Sequence, residues 1–402
     1  MSAPDPEELL PEQASTYGGM SGKRARPRRG KNADGGGDDG RGGNGGGGGS
    51  GGGDGFGAGP AAAAPKRRRW GLIIGLTALG LVVVLVGVGI GSWIWASSKI
   101  THVGALTDYS GRPAQGAGTN WLLAGSDSRD SLTPQQVQEF HTGSSSAISG
   151  SRTDTIMIVH YGSSGPDLVS IPRDSYVEIP AYKDSKGVSH SAQHGKINSA
   201  YDLGGPQLLV QTVEVNFGIR IDHYLEVGFL GIVNMVNEAG GVHLCLSSAI
   251  HDSYSGANLS AGCQTLNGTE ALAYVRSRYS LPNSDVSRMS DQQAFIKGLV
   301  QAADRPGVYL DPFTLYPFMS AVLNSVAADD GTGLSDLLDL AQHAKPLASS
   351  GGSTGTMPIA NESYYVSGIG DAVKIDQTKA AELADAINKD EKIPAGLLNS
   401  IG

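Results

Sequence analysis

A run of 27 residues, "WGLIIGLTALGLVVVLVGVGIGSWIWA" from Trp70 to Ala96, contains no charged side chain. It is long enough to cross a bilayer as a helix, and nothing else in the chain constrains the fold as strongly. Lys66, Arg67, Arg68 and Arg69 abut its start, whereas only Lys99 follows closely on the far side. That asymmetry predicts a single pass through the cell membrane, with the N-terminus cytoplasmic and everything after Ala96 extracellular. A cleaved signal peptide fits poorly, because the run is too long, starts far into the chain and lacks a small-residue cleavage site. Trp70, Trp93 and Trp95 stand where interfacial aromatics belong.

Before the run, glycine supplies 21 of 69 residues and almost nothing apolar is available to bury, so 1–69 reads as a disordered tail. After it the chain is acidic: from residue 100 onward 18 Lys+Arg face 31 Asp+Glu, a formal balance of −13. That excludes a nucleic-acid-binding surface and means that arginines inside apolar segments act locally. Both cysteines, Cys245 and Cys263, fall in the exported part, where a disulfide is the simplest reading. A metal site is the weaker one, since no histidine spacing supports it.

Past a connector with turn signals, "NWLLAGSDSR" reads as a buried strand ending in a polar loop, followed by a polar insert, Asp130 to Ser151. "DTIMIVHY" and "DLVSIPRD" are strands at hairpin spacing around "GSSGP". "GGPQLLVQTVEVNFGI" has helical period, "DHYLEVG" strand character, and "FLGIVNMVNEAGG" reads as a helix stopped by Gly240 and Gly241 before the strand "VHLCL". Helices follow in "NGTEALAYV", "SRMSDQQAFIKGLVQAA", "PFTLYPFMSAVLNSVAA" and "LSDLLDLAQHA", then a strand-like "SYYVSGI" and the helix "DQTKAAELADAINKD". Strands and helices so intermixed imply a layered α/β domain.

Charged residues recur at the strand ends: Asp127 and Arg129, Arg152 and Asp154, Arg173 and Asp174. A layered fold keeps its site at such ends, so a shared cleft of several Arg and at least two Asp is expected. In "ALAYVRSRYS", Arg276 and Arg278 share a face if that end is extended, and close cations call for an anion between them; two solvated surface arginines are the bland alternative. "GSDSR" lacks the Lys-Ser/Thr ending of a P-loop, and G-x-S-x-G, zincin and paired Cys-x-x-Cys motifs are absent.

In their order, "LLAGSDSR", "SRTDTIMIVHY", "LVSIPRDSYVEIP", "KINSAYDLGGP", "IDHYLEVGFLGIVNMVNEAGGV", "LNGTEALAYVRSR" and "DVSRMSDQQAFIKGL" resemble the LytR-CpsA-Psr family of cell-envelope phosphotransferases, particularly its actinobacterial branch. The resemblance spans Trp121 to Leu299 and implies an α-β-α sandwich with a central mixed sheet, a deep apolar pocket for a polyprenyl chain and a charged mouth for its pyrophosphate. The implied organisation is the tail 1–69, transmembrane helix 70–97, connector 98–118, catalytic domain 119–305 and a C-terminal helical extension 306–402. Carried over position by position, Arg152, Arg173, Arg276 and Arg278 are the pyrophosphate-binding arginines, assisted by Gln292, with Arg129 and Arg288 also in matched motifs. Asp127 and Asp154 are the expected Mg²⁺ ligands. The pocket walls are expected from "QLLVQTVEVNFGI", "FLGIVNMV" and "FIKGLV". Ala124 stands where the family usually has a larger aliphatic residue, a change of packing rather than of chemistry.

The implied reaction moves a glycopolymer from a polyprenyl-pyrophosphate carrier to an acceptor hydroxyl, with peptidoglycan the commonest acceptor. Arginines and Mg²⁺ spread the charge on the phosphoryl oxygens. Asp127, Asp154, Asp174 or substrate phosphate are candidates for the base. A pyrophosphatase using the same groups, and a scaffold that binds the lipid-linked precursor unchanged, are the competing readings.

Overall fold

The strand "TNWLLAGS" sends Leu122 and Ala124 to one side and Trp121 and Leu123 to the other, and the fold is layered around that alternation. The structure is a computed structural model that describes residues 70–127, 132–142, 153–277, 284–348 and 351–399; for 70–75 and 284–290 it describes the backbone alone. The expected tail, 1–69, lies outside the described residues. The central sheet comprises β1 (Thr101–Val103), β2 (Thr119–Ser126), β3 (Thr153–Tyr161), β4 (Asp167–Ile171), β5 (His223–Gly228), β6 (Val326–Asp329) and β7 (Ser353–Thr356). Their spatial order is β1-β6-β5-β2-β3-β4-β7. β2, β3 and β4 run antiparallel in turn, β5 lies parallel to β2, β6 antiparallel to β5, and each edge strand parallel to its neighbour. The sheet is therefore mixed, as expected.

The helices are α1 (Trp70–Ser97), α2 (Pro134–Glu139), α3 (Ile197–Phe217), α4 (Phe229–Glu238), α5 (Gly268–Arg276), α6 (Ser284–Ala303), α7 (Pro306–Tyr309), α8 (Pro312–Ser325), α9 (Leu334–Ala348) and α10 (Gln377–Asn388). Leu122, Ile156, Ile158 and Val169 pack with Leu209 and Val213 of α3 and Leu383 and Ile387 of α10. On the opposite face Trp121, Met157, Val159 and Leu168 meet Leu347 of α9 and Ile296 of α6. Each such side chain contributes roughly 1.5–3 kcal/mol when fully buried. α4, α5 and α6 enclose a further apolar core with the ribbon Val242–Leu246/Gly262–Leu266. Within that ribbon Cys245 stands opposite Cys263, their sulfurs 2.01 Å apart.

Several departures from the sequence reading have local causes. "INSAYDLGGPQLLVQTVEVNF" is helical throughout except at Gly204 and Gly205, where Gly205 adopts φ 69°, and Pro206 restarts the helix where it needs no backbone donor. The chain after 305, expected to be helical apart from the strand-like "SYYVSGI", also supplies β6 and β7 to the central sheet, and "SYYV" does lie in a strand, Ile359–Val366, which pairs with Gly370–Ile375. α1 is exposed over most of its described length, and Leu76–Ser97 is long and apolar enough to cross a membrane. Its last turn packs Ala96, with Ile100 beyond it, against Leu323 and Ala328.

Candidate active site

Topology explains why the charged strand ends meet. Ser126, at the end of β2, pairs with Thr153 at the start of β3, and Ile171, at the end of β4, pairs with Ile156. One end of these strands thus carries Asp127, Asp154 and the Pro172-Arg173-Asp174 turn. β5 ends at the same level, since Gly228 pairs with Ser126, and delivers Phe229. The resulting cavity of about 900 Å³ is lined by Asp127, Asp154, Arg173, Asp174, Lys196 and Arg276, together with Asp202, Asp252, Tyr254, His141 and His194.

Arg173 links the carboxylates. Its Nη1 donates to Asp154 Oδ1 at 2.7 Å, and its Nε lies 3.3 Å from Asp174 Oδ2. Lys196 Nζ reaches Asp174 Oδ1 at 3.0 Å. These side chains are 17–27% exposed, so the pairs are partly screened but hold one another's rotamers. Arg276 ends α5, where a cation suits the helix dipole. It donates to the carbonyls of Phe140 at 2.7 Å and His141 at 3.2 Å, and its guanidinium lies 4.8 Å from the centre of the Phe229 ring. His141 has φ 50°, a left-handed conformation uncommon outside glycine. Below Asp127, Glu226 of β5 accepts from Tyr201 (2.7 Å) and Tyr224 (2.9 Å). Burial, reinforced by the Glu226 charge, pushes both phenols well above their ordinary range and keeps them as neutral donors.

Of the expected residues, Asp127, Asp154, Arg173 and Arg276 converge on the cavity. Gln292 is 7% exposed and lines an adjoining cleft of about 40 Å³ with Gly125, Asp154, Val227, Phe229, Ile232 and Arg276. Its neighbour Gln293 fastens α6 to the sheet by donating to Ser170 Oγ and the Gly355 carbonyl. Arg129, Arg152 and Arg278 lie outside the described residues, as does the side chain of Arg288, whose backbone is in α6. Lys196 and Glu226, given no role by the sequence reading, belong to the site's surroundings; Lys196 was within reach, since it opens the quoted "KINSAYDLGGP" at the N-cap of α3.

The expected pocket walls need correction. Phe229 and Ile232 of "FLGIVNMV" do line the small apolar cleft. "QLLVQTVEVNFGI", however, turns Leu209, Val213 and Phe217 into the core beneath the sheet, and Ile296 and Leu299 of "FIKGLV" are packed against core clusters. The sheet claims those side chains because its own apolar face has to be covered.

Five lining carboxylates (Asp127, Asp154, Asp174, Asp202, Asp252) face three strong cations (Arg173, Lys196, Arg276) among the described residues. By these groups alone an oligophosphate meets net negative charge, and Asp127 with Asp154 is an oxygen donor set suited to a hard divalent cation. One other group of candidate ligands among the described residues, His243 with Cys245 and Cys263, includes the two bonded sulfurs and offers no thiolate.

Comparison with known proteins gives a consistent result. The model of the LytR_cpsA_psr family matches residues 97–389. The probable cell wall biosynthesis protein LcpB of Corynebacterium glutamicum is 38% identical over 297 residues, which are 73% of this chain and 66% of that protein. The polyisoprenyl-teichoic acid–peptidoglycan teichoic acid transferase TagU of Enterococcus faecalis is 33% identical over 162 residues, 40% of this chain and 50% of its own length. This chain thus spans about two thirds or less of the length of these relatives. The solved LytR-Csp2A-Psr enzyme from Actinomyces oris superposes with a TM-score of 0.53 at 23% identity, covering 72% of this chain and 97% of that one, a likeness of fold.

Proposed function

Because the chain belongs to the LytR-CpsA-Psr family, we propose that it is a membrane-anchored phosphotransferase that moves a glycopolymer from a polyprenyl-pyrophosphate carrier onto a peptidoglycan hydroxyl. The observation that carries this reading is the convergence of Asp127, Asp154, Arg173 and Arg276, from four separate segments, on one cavity. α1 is the anchor, and the domain after it works outside the cytoplasm, where the Cys245–Cys263 pair persists as a disulfide.

In this reaction the acceptor oxygen bonds to the glycan-proximal phosphorus, the bond from that phosphorus to the bridging oxygen breaks, and polyprenyl monophosphate leaves. The acceptor proton passes to a cavity carboxylate or to substrate phosphate. Arg173, braced between Asp154 and Asp174, and Arg276, braced on the 140–141 carbonyls, offer fixed cationic donors to the phosphoryl oxygens. Such preorganised charge supplies most of the catalysis in phosphoryl transfer. Asp127 and Asp154 would hold Mg²⁺, which when bound neutralises charge on the phosphates; Arg152 and Arg278 would add to that neutralisation. The polyprenyl tail follows the apolar cleft beside Phe229 and Ile232, each buried methylene contributing roughly 0.8 kcal/mol. At about 40 Å³ that cleft is far smaller than a polyprenyl chain, so it has to widen for the tail to enter.

The test is incubation of the full chain with a polyprenyl-pyrophosphate oligosaccharide, Mg²⁺ and peptidoglycan fragments, read by mass spectrometry. A phosphodiester-linked product that vanishes in Arg276→Ala is the expected result. Release of glycan phosphate alone means a hydrolase, and bound but unchanged lipid means a scaffold.

A further inference from the structure

Nine large apolar side chains are exposed outside α1 among the described residues, and four of them, Tyr309, Leu310, Phe313 and Tyr316, fall within eight positions spanning α7 and the start of α8. Phe313 is 90% exposed and Leu310 72%. A monomeric surface rarely concentrates such residues without a use for them.

Contacts with α1 set the height of this patch. The Tyr316 hydroxyl is hydrogen-bonded to Ser92 Oγ, and its ring meets Trp95 edge-on at 5.5 Å between centroids. Farther along α8, Met319 and Leu323 pack with Ala96 and Ile100. Residue numbers therefore rise together along the two helices. Tyr316 is level with Ser92 to Trp95, inside the charge-free segment, and Phe313, three residues earlier, lies about 4.5 Å deeper along α8. Above this level Lys99 Nζ lies 6.0 Å from the Trp95 ring centre, an arrangement usual at the polar face of a bilayer. Asp311, the one carboxylate within the patch, caps α8 by accepting from the Phe313 amide and Thr314 Oγ1.

We propose that Tyr309–Tyr316 is a membrane-docking surface, which sinks its aromatic and leucine side chains into the head-group and upper acyl region of the leaflet where α1 ends. The inference rests on the reading that α1 spans the bilayer. Tyr rings suit the interface because one end is apolar and the other wet, while Phe313 and Leu310 supply apolar area to the acyl side. Docking also fixes the domain's attitude. α8 packs on α4 so closely that a Cβ built on Gly231 would lie 2.7 Å from the Ser325 carbonyl oxygen, and Phe318 joins the core that holds Phe229 and Val233. The helix that dips into lipid is thus braced on the helix that walls the apolar cleft.

The test uses the full chain in phospholipid vesicles. With both native cysteines paired, single introduced cysteines (Phe313→Cys, Leu310→Cys, and the controls Leu85→Cys and Tyr365→Cys) take a maleimide fluorophore. Each is challenged with iodide and with lipids bearing a nitroxide near the ester or near the methyl end. The expected result is that dyes at 310 and 313 are quenched by the ester-end nitroxide and resist iodide several-fold better than the dye at 365, while the dye at 85 responds to the methyl-end nitroxide. If the dyes at 310 and 313 are as open to iodide as that at 365 while 85 remains lipid-quenched, docking is wrong and the spanning reading stands. Iodide quenching at 85 removes the spanning reading and the proposal with it. Shielding of 310 and 313 from both quenchers means that protein, a second copy included, covers the patch, which overturns the proposal.

Discussion

Arg276→Ala separates the two tasks assigned to this arginine, bracing and binding. The guanidinium donates to the carbonyls of Phe140 and His141 and stacks on Phe229. Phe140 is 4% exposed, so its carbonyl loses a partner that water replaces poorly, whereas His141 is exposed and its carbonyl can be rehydrated. The buried acceptor accounts for roughly 1–2 kcal/mol and the ring contact for about 0.5–1, giving a stability loss of about 1.5–3 kcal/mol. Arg276→Lys keeps the charge but not the fork, and should recover about half of that loss. Denaturant melts of the full chain, followed by near-ultraviolet dichroism, measure both. Transfer assayed well below the melting range should fall about 10²-fold or more in both variants if the fork also grips phosphoryl oxygens. An alanine variant that melts low yet transfers at the wild-type rate would make Arg276 a brace alone, and one that melts normally would refute the bracing geometry itself.

Other positions give independent checks. Asp390 accepts from the amides and hydroxyls of Ser163 and Ser164 at 2.6–3.1 Å, and although burial opposes its charge, these donors hold the carboxyl below its ordinary range. A depressed folded-state value means stability that is complete above the usual aspartate pKa of about 3.9 and lost as the pH falls below it. Asp390→Asn should therefore cost about 2–3 kcal/mol at neutral pH, with the difference from wild type shrinking in denaturant melts as the pH drops below about 4. Replacing Cys245 and Cys263 by serine opens a loop of sequence separation 18 and should lower stability by about 3 kcal/mol, with dithiothreitol reproducing the effect on the wild type. A Cβ on Gly268 would lie 2.3 Å from the Val233 carbonyl oxygen, so Gly268→Ala should force α5 from α4 and destabilise by roughly 2 kcal/mol, measured by thermal melting.

The central strands were legible because β2, β3 and β4 carry apolar runs bounded by turn residues, and the Asn267 cap marks the start of α5 with a side chain that accepts from the Glu270 amide. β6 was not, because "VAAD" continues the apolar text of α8 and its Asp329, 2% exposed, looks like a loop residue until Tyr224 and Thr332 are seen to bond it. "STGT" in β7 offers no apolar alternation at all; edge pairing with β4 makes it a strand. At the site, strand-end charges identified the cavity's edge. Glu226 escaped notice because its meaning lies in two tyrosines, one of them on α3, that only the folded sheet brings to it.

The pairing of β1 with β6 has a consequence in time. Thr101, four residues beyond α1, finds its partner in Ala327, and β7 on the opposite edge comes from residues 353–356. Both margins of the sheet wait for chain made after residue 325, so contacts of long sequence separation dominate its completion, which slows folding. Until then β5 and β4 present open edges, a state prone to mispairing. With α1 in a bilayer, as proposed, β1 would be held in place while the rest of the sheet arrives.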